Sequence, residues 1–247
     1  MKPLDQIPDT LRRSLRAIFS DIDDTITTDG MLSAEAYSAI ENISKQGIEF
    51  IPITGRPAGW CDMIARFWPV KGVIGENGAF FFSYDHKNKK MIRRYIQNEK
   101  ERLEGLKKLG KIKQKILQEV EGCAVSSDQF SRISDLAIDF CEDVPELPIE
   151  AVKKIKEIFV ESGATAKISS IHVNAWFGDY NKLEMTRIFT KEVLGIDLDY
   201  NKDEFFFCGD SPNDEPLFQY FPNSCGVANV RDFISEMTNL PTYVSYS

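Results

Sequence analysis

The sequence predicts an α/β fold in which a central parallel sheet is interrupted by a second, inserted α/β domain. Three observations carry this. The apolar runs Arg16–Ser20, Ile48–Ile53 and Asp203–Cys208 each stop at a polar loop, as buried strands do where an open α/β sheet places its ligands. The order strand, polar motif, helix is repeated along the chain. Only about thirty residues separate the first polar motif from the second, enough for one crossover, whereas well over a hundred separate the second from the next motif near Lys182.

The first strand leads into Asp21-Ile22-Asp23-Asp24-Thr25, then the loop Ile26-Thr27-Thr28-Asp29-Gly30. Two carboxylates spaced two apart at a strand's carboxyl end suit metal-assisted phosphoryl transfer. A phosphomonoester dianion repels a carboxylate, so an aspartate attacks phosphorus only where a divalent cation and fixed positive groups neutralise the charge. Asp21 is the expected nucleophile. Asp23, just after it, is placed to protonate the leaving oxygen and then to deprotonate the hydrolytic water.

The second strand ends in Thr54-Gly55-Arg56-Pro57, where a hydroxyl and backbone N–H groups near a helix start suit phosphate binding. The third ends in Gly209-Asp210-Ser211-Pro212-Asn213-Asp214, carboxylates again following an apolar strand, as oxygen ligation of a hard cation requires. Between them, Gly178-Asp179-Tyr180-Asn181-Lys182 opens an amphipathic helix whose first turn offers Lys182 to a phosphate oxygen and to the nucleophile.

This ordered set, Asp21-x-Asp23-x-Thr25, Thr54-Gly55-Arg56, Lys182 and Gly209-Asp210-x-x-Asn213-Asp214, resembles the four motifs of the haloacid dehalogenase (HAD) superfamily, and the resemblance spans nearly the whole chain. Ile74-Gly75-Glu76-Asn77-Gly78-Ala79 and Gly226-Val227-Ala228-Asn229-Val230 resemble segments of its subfamily IIB, the Cof-type and sucrose-phosphate-phosphatase-like branch. The resemblance implies a Rossmann-like core with a C2-type cap. It implies Asp21 as nucleophile and metal ligand, Asp23 as acid/base and ligand through its backbone carbonyl, and Asp210 as the third protein ligand of Mg²⁺. Thr54, Gly55 and Lys182 would bind phosphate, with Asn213 and Asp214 orienting the metal shell and Lys182. Haloalkanoate dehalogenases of the superfamily, by the same resemblance, lack the second aspartate, so Asp23 argues for phosphate chemistry.

The long interval after Thr54 places the cap at 83–177, with core segments 1–82 and 178–247. Within the insert, Ala79–Tyr84 and Met91–Ile96 flank a polar turn as a hairpin. A helix is expected over 98–120, with Leu103, Leu106, Leu109, Ile112, Ile116 and Val120 as its apolar stripe, weakened by Gly105 and Gly110. A second helix is expected over 149–162, and strands around Leu136–Phe140 and Ile171–Ala175. Period-two alternation puts Ile171, Val173 and Ala175 against the cap helices and His172, Asn174 and Trp176 on the other face. With Arg56, and with Arg132 from the preceding loop, these are the candidate specificity residues. Facing solvent is the equal alternative, and domain-interface packing is a further one for Trp176.

A chain of 247 residues accommodates a core of about 150 and a cap of about 90, each with its own apolar centre. A net charge of −8 with scattered lysines argues against nucleic acid or anionic membrane as main partners. Five cysteines without metal spacing and only two histidines disfavour a zinc site and fit a reduced cytoplasm. No apolar signal region or membrane-length run is present. The expected activity is Mg²⁺-dependent hydrolysis of a small phosphomonoester, a sugar phosphate or related metabolite, by a monomer or homodimer. A phosphomutase using the same aspartate pair is the alternative; a noncatalytic sugar-phosphate-binding module would need a degraded site, and with Asp21, Asp23, Thr54, Lys182 and Asp210 all present it is the least favoured reading.

Overall fold

The computed structural model describes residues 1–246. Its largest sheet has six strands, in the order Lys2–Pro3, Tyr243–Val244, Ser224–Gly226, Phe205–Gly209, Ala17–Ser20, Glu49–Pro52, and every pairing is parallel. Ala17, Phe19, Ile51, Phe205 and Phe207 are buried in one cluster with Met185, Phe189, Leu217 and Phe221. Burial on both faces explains why these strands read as continuous apolar runs. The third strand starts later than expected, because Lys202–Glu204 form a short helical turn before Phe205.

The Ala17–Ser20 strand lies between Glu49–Pro52 on one side and Phe205–Gly209 on the other. The chain leaves it in one direction through the helix Ala34–Lys45, whose N-cap Ser33 accepts the Ala36 N–H. The later strands build the opposite side, so the end of Ala17–Ser20 is a topological switch point, where such sheets open a crevice. Asp21 occupies that end.

Past the Glu49–Pro52 edge, Ile53 bridges in parallel to Ile74. Val73–Gly75 then pairs with Phe80–Asp85, which pairs with Lys90–Tyr95. The hairpin read from the sequence is therefore fastened by hydrogen bonds to a strand that follows the Ala58–Phe67 helix.

A separate four-stranded antiparallel sheet has the order Ala124–Val125, Asp135–Asp139, His172–Trp176, Thr165–Ile168. One face packs on the helices Glu99–Glu119 and Ile149–Glu161 through Leu136, Ile138, Val173 and Ala175 against Leu109, Ile112, Ile116, Val152, Ile155 and Phe159. The first helix begins with a capping box, Asn98 accepting the Glu101 N–H and Glu101 accepting the Asn98 N–H, which satisfies two otherwise orphaned donors. The expected apolar stripe changes at two positions. Leu103 is exposed, and Gly105 is buried beside Phe177.

Candidate active site

Asp21 is fixed first through its backbone, its N–H donating to the Cys208 carbonyl of the neighbouring strand at 2.9 Å. Its carboxylate then meets Lys182 from the start of the helix Lys182–Phe189, with Nζ 3.0 Å from Asp21 Oδ1 and 2.9 Å from Asp214 Oδ1. That helix start is set by the Asn181 N-cap, which accepts the Glu184 N–H. It is also set by Gly78, whose positive φ of 102° brings its backbone against the Asn181 carbonyl. Asp214 accepts the Asp210 N–H at 3.1 Å, and Thr25 donates to Asp210 Oδ1 at 3.2 Å.

Carboxylate oxygens of Asp21, Asp210 and Asp214 gather within 4.8 Å of one another. Burial, opposed by Lys182 and reinforced by Asp214 and Asp23, pushes Asp21 up to about 7. Burial together with Asp214 and Asp21 pushes Asp210 up to about 9. Such crowding is costly unless a cation compensates it, and an all-oxygen donor set suits Mg²⁺. Both oxygens of Asp214 are already engaged by Lys182 and by the Asp210 N–H, which leaves Asp21 and Asp210 as the available carboxylate ligands. Burial works against the Lys182 ammonium, but Asp21 and Asp214 prevail and hold it charged.

The loop after Asp21 is held by small contacts. Asp24 adopts a left-handed φ of 56°, its N–H donates to Thr27 Oγ1, and its carbonyl accepts from Asn229 Nδ2 at 3.2 Å. The Gly226–Val230 segment thus supports the nucleophile loop. Asp23 is clasped by Arg56, whose Nε lies 3.0 Å and Nη2 2.8 Å from Asp23 Oδ1. The same guanidinium reaches Glu142 Oε1 at 2.8 Å and lies over the Trp60 ring. Glu142 Oε2 is 3.0 Å from His172 Nε2. His172 and Arg56 together hold the Glu142 carboxyl down at about 2, against its burial.

Arg132 is fully buried between Asp128 and Asp135, at 3.1 Å from each, and donates to the Gly55 carbonyl at 2.9 Å. Asn174 donates to Asp135 Oδ2 at 3.2 Å. Glu76 binds the two sheet systems together. Its carboxylate accepts the Ala58 N–H at 3.1 Å, and from the other unit the N–H groups of Ile133 at 3.0 Å, Ser134 at 2.7 Å and Asp135 at 3.3 Å.

Asp21, Asp23, Gly55, Arg56, Arg132, His172, Asn174, Lys182, Asp210 and Asn213 line one cavity. The structure thus brings together most of the residues singled out from the sequence. Two stand differently. Thr54 is buried, but its hydroxyl accepts the Arg56 N–H at 3.0 Å, and Gly55 rather than Thr54 lines the cavity. Trp176 stacks on Tyr180 with ring centroids 5.7 Å apart and lines an adjoining cavity instead, because Trp176 packs into an apolar cluster with Ala58, Cys61 and Phe80.

Residues 18–173 match the haloacid dehalogenase-like hydrolases. The chain belongs to this family. No curated protein matches the sequence, but solved structures share the fold. A Thermoplasma acidophilum protein superposes with a TM-score of 0.69 at 20% identity, over 94% of this chain and 92% of that one. The sucrose-phosphatase from Synechocystis sp. PCC6803, solved with sucrose and phosphate, gives 0.63 at 17% identity, over 95% and 92%. A subclass IIB sugar phosphatase of the HAD superfamily gives 0.61 at 14% identity, over 93% of each chain.

Several residues of this HAD-like site escape sequence reading: Glu76, Asp128, Asp135 and Glu142. Glu76 sits in the Ile74–Ala79 segment that resembles subfamily IIB, which was its only signal. The others are acids whose partners lie on separate strands or in the other unit.

Proposed function

We propose that the protein is a Mg²⁺-dependent phosphatase that hydrolyses a small phosphomonoester, a sugar phosphate or sugar acid phosphate, through an aspartyl-phosphate on Asp21. The observation that carries this is the convergence of Asp21, Lys182, Asp210 and Asp214 at the switch point, with Asp23 beside them. In this reading Asp21 and Asp210 hold the cation with the Asp23 carbonyl, and Asp214 and Asn213 orient the surroundings. A divalent cation bound there supplies neutralisation of the phosphoryl dianion.

Asp21 attacks phosphorus and the bond to the ester oxygen breaks, while Asp23 gives its proton to that oxygen. Asp23, now a carboxylate, takes a proton from water, whose oxygen attacks the same phosphorus. The Asp21–phosphoryl bond then breaks and phosphate leaves. Arg56 keeps the Asp23 carboxyl in place between the two steps, and Lys182 neutralises the transferring group. The Gly55 backbone completes the phosphate pocket, with Thr54 behind it accepting the Arg56 N–H.

The division into core segments 1–82 and 178–247 with a cap at 83–177 belongs to the same proposal. The separate apolar centre of the four-stranded sheet supports it, and the hairpin serves as the fastening between the two. Five free cysteines support a reducing compartment such as the cytoplasm. Among the described residues no helix is long and apolar enough to cross a membrane.

The test is phosphate release from a panel of sugar phosphates, phosphoglycerate derivatives and nucleotides, with and without Mg²⁺. Metal-dependent release confined to one chemical class supports the reading. Isomerised product without phosphate would replace it with a mutase.

A further inference from the structure

The strand Thr165–Ile168 contributes a residue the reaction above does not use. Lys167 pairs with Asn174 in register, so the two side chains share the sheet face that looks onto the core. Lys167 is half-buried and forms no ion pair among the described residues. Burial, followed by Lys156 and Lys182, lowers its proton affinity, with Glu215 opposing. Glu215 is itself occupied, accepting the N–H groups of Thr238 and Asn239. The other cations on this side of the site are saturated: Arg56 by Asp23 and Glu142, Arg132 by Asp128 and Asp135.

Space separates these cations further. The cavity bounded by Asp21, Arg56, Arg132 and His172 measures about 20 Å³, room for about one water. An adjoining cavity of about 250 Å³ shares Lys182 and Asn213 with it. Lys167, Asn77, Asn181 and the stacked Trp176 and Tyr180 form its wall. Asp179, the only acid in its lining, makes no ion pair with Lys167. The larger open space beside Lys182 and Asn213 therefore lies on the Lys167 side.

Resting on the phosphatase reading, we infer that Lys167 recognises an anionic group, a carboxylate or second phosphate, carried by the leaving-group half of the substrate. A half-buried, unpaired ammonium is an incomplete ion pair, and a substrate anion completes it. Neutral hydroxyls leave that charge uncompensated, so an uncharged sugar is the poorer partner.

Steady-state kinetics of the Mg²⁺-loaded enzyme on matched esters tests this: phosphoglycerate against glycerol phosphate, phosphogluconate against glucose phosphate, and a hexose bisphosphate against its monophosphate. p-Nitrophenyl phosphate serves as a scaffold-free reporter. The expected result is a kcat/KM at least about tenfold higher for the charged member of one pair, which corresponds to about 1.4 kcal/mol. The first two pairs report a carboxylate and the third a phosphate. Lys167→Gln should bring that ratio close to one, mainly through KM, and Lys167→Arg should keep most of it. Equal use of charged and neutral members, or a Lys167→Gln loss that is the same for both, overturns the inference while reporter turnover preserves the phosphatase reading. Absence of turnover on every ester overturns the phosphatase reading and this inference with it.

Discussion

Lys182 Nζ lies 3.0 Å from Asp21 Oδ1, joining the first turn of a late helix to the end of the Ala17–Ser20 strand across 161 positions of sequence. The ammonium is itself held by Asp214, so its position is fixed from two sides. Replacing it leaves two buried carboxylates facing each other without compensation. Lys182→Met is expected to lower kcat by at least about 10²-fold, the size of loss seen when one fixed positive or donor group is removed from a developing charge. Phosphate-release assays check this, with circular dichroism confirming that the variant folds.

Glu76 accepts four backbone N–H groups from two separate units. Glu76→Ala orphans all four in a buried setting, and the expected loss is on the order of 3 kcal/mol. Urea denaturation measures it. Because three of the four donors lie beside Arg132, the same variant should raise KM more than it lowers the turnover of p-nitrophenyl phosphate.

Gly78 faces the Asn181 carbonyl with φ at 102°, and a methyl group there meets that backbone directly. Gly78→Ala must therefore shift the helix start that carries Lys182. Loss of both stability and kcat is expected, measured by thermal unfolding and steady-state kinetics. An alanine variant with wild-type turnover would show that Lys182 is positioned from elsewhere.

Glu142 bridges Arg56 and His172, and its carboxyl is held down at about 2 from an ordinary 4.5. A depressed folded-state value stabilises the protein above the unfolded value and loses that contribution as pH falls through the folded one. The stability difference between wild type and Glu142→Gln is therefore expected to be full above about pH 5. It should shrink between 4.5 and about 2. Its size should be on the order of 1 kcal/mol, since the group is partly screened by solvent. Denaturation of both proteins across this range checks the sign.

The sequence announces the catalytic half of the site because Asp21, Asp23, Lys182 and Asp210 each sit at a break in periodicity, where an apolar strand stops or a helix starts. Those breaks are local and survive in one dimension. The cap half is written in pairings that do not. Asp128, Asp135 and Glu142 are ordinary acids until folding sets Arg132 and Arg56 beside them. Glu76 acts on N–H groups up to 59 positions away. Alternation correctly put Val173 and Ala175 against the cap helices, but all five residues of the His172–Trp176 strand are buried, and Ile171 precedes the strand and lines the catalytic cavity instead. Alternation also did not tell His172 and Asn174, which reach the catalytic cavity, from Trp176, which packs beside Tyr180. Leu103 failed for a related reason: a helical stripe reads as apolar whether or not a partner covers its first turn.

The central claim is that phosphorus is transferred to Asp21. Acid quenching of the Mg²⁺-loaded enzyme during turnover, followed by peptide mapping, tests it most directly. The account predicts a hydroxylamine-labile phosphoryl group on the peptide containing Asp21, absent from Asp21→Asn protein that folds normally. Turnover without any acylphosphate, or a phosphoryl group on another residue, would contradict it.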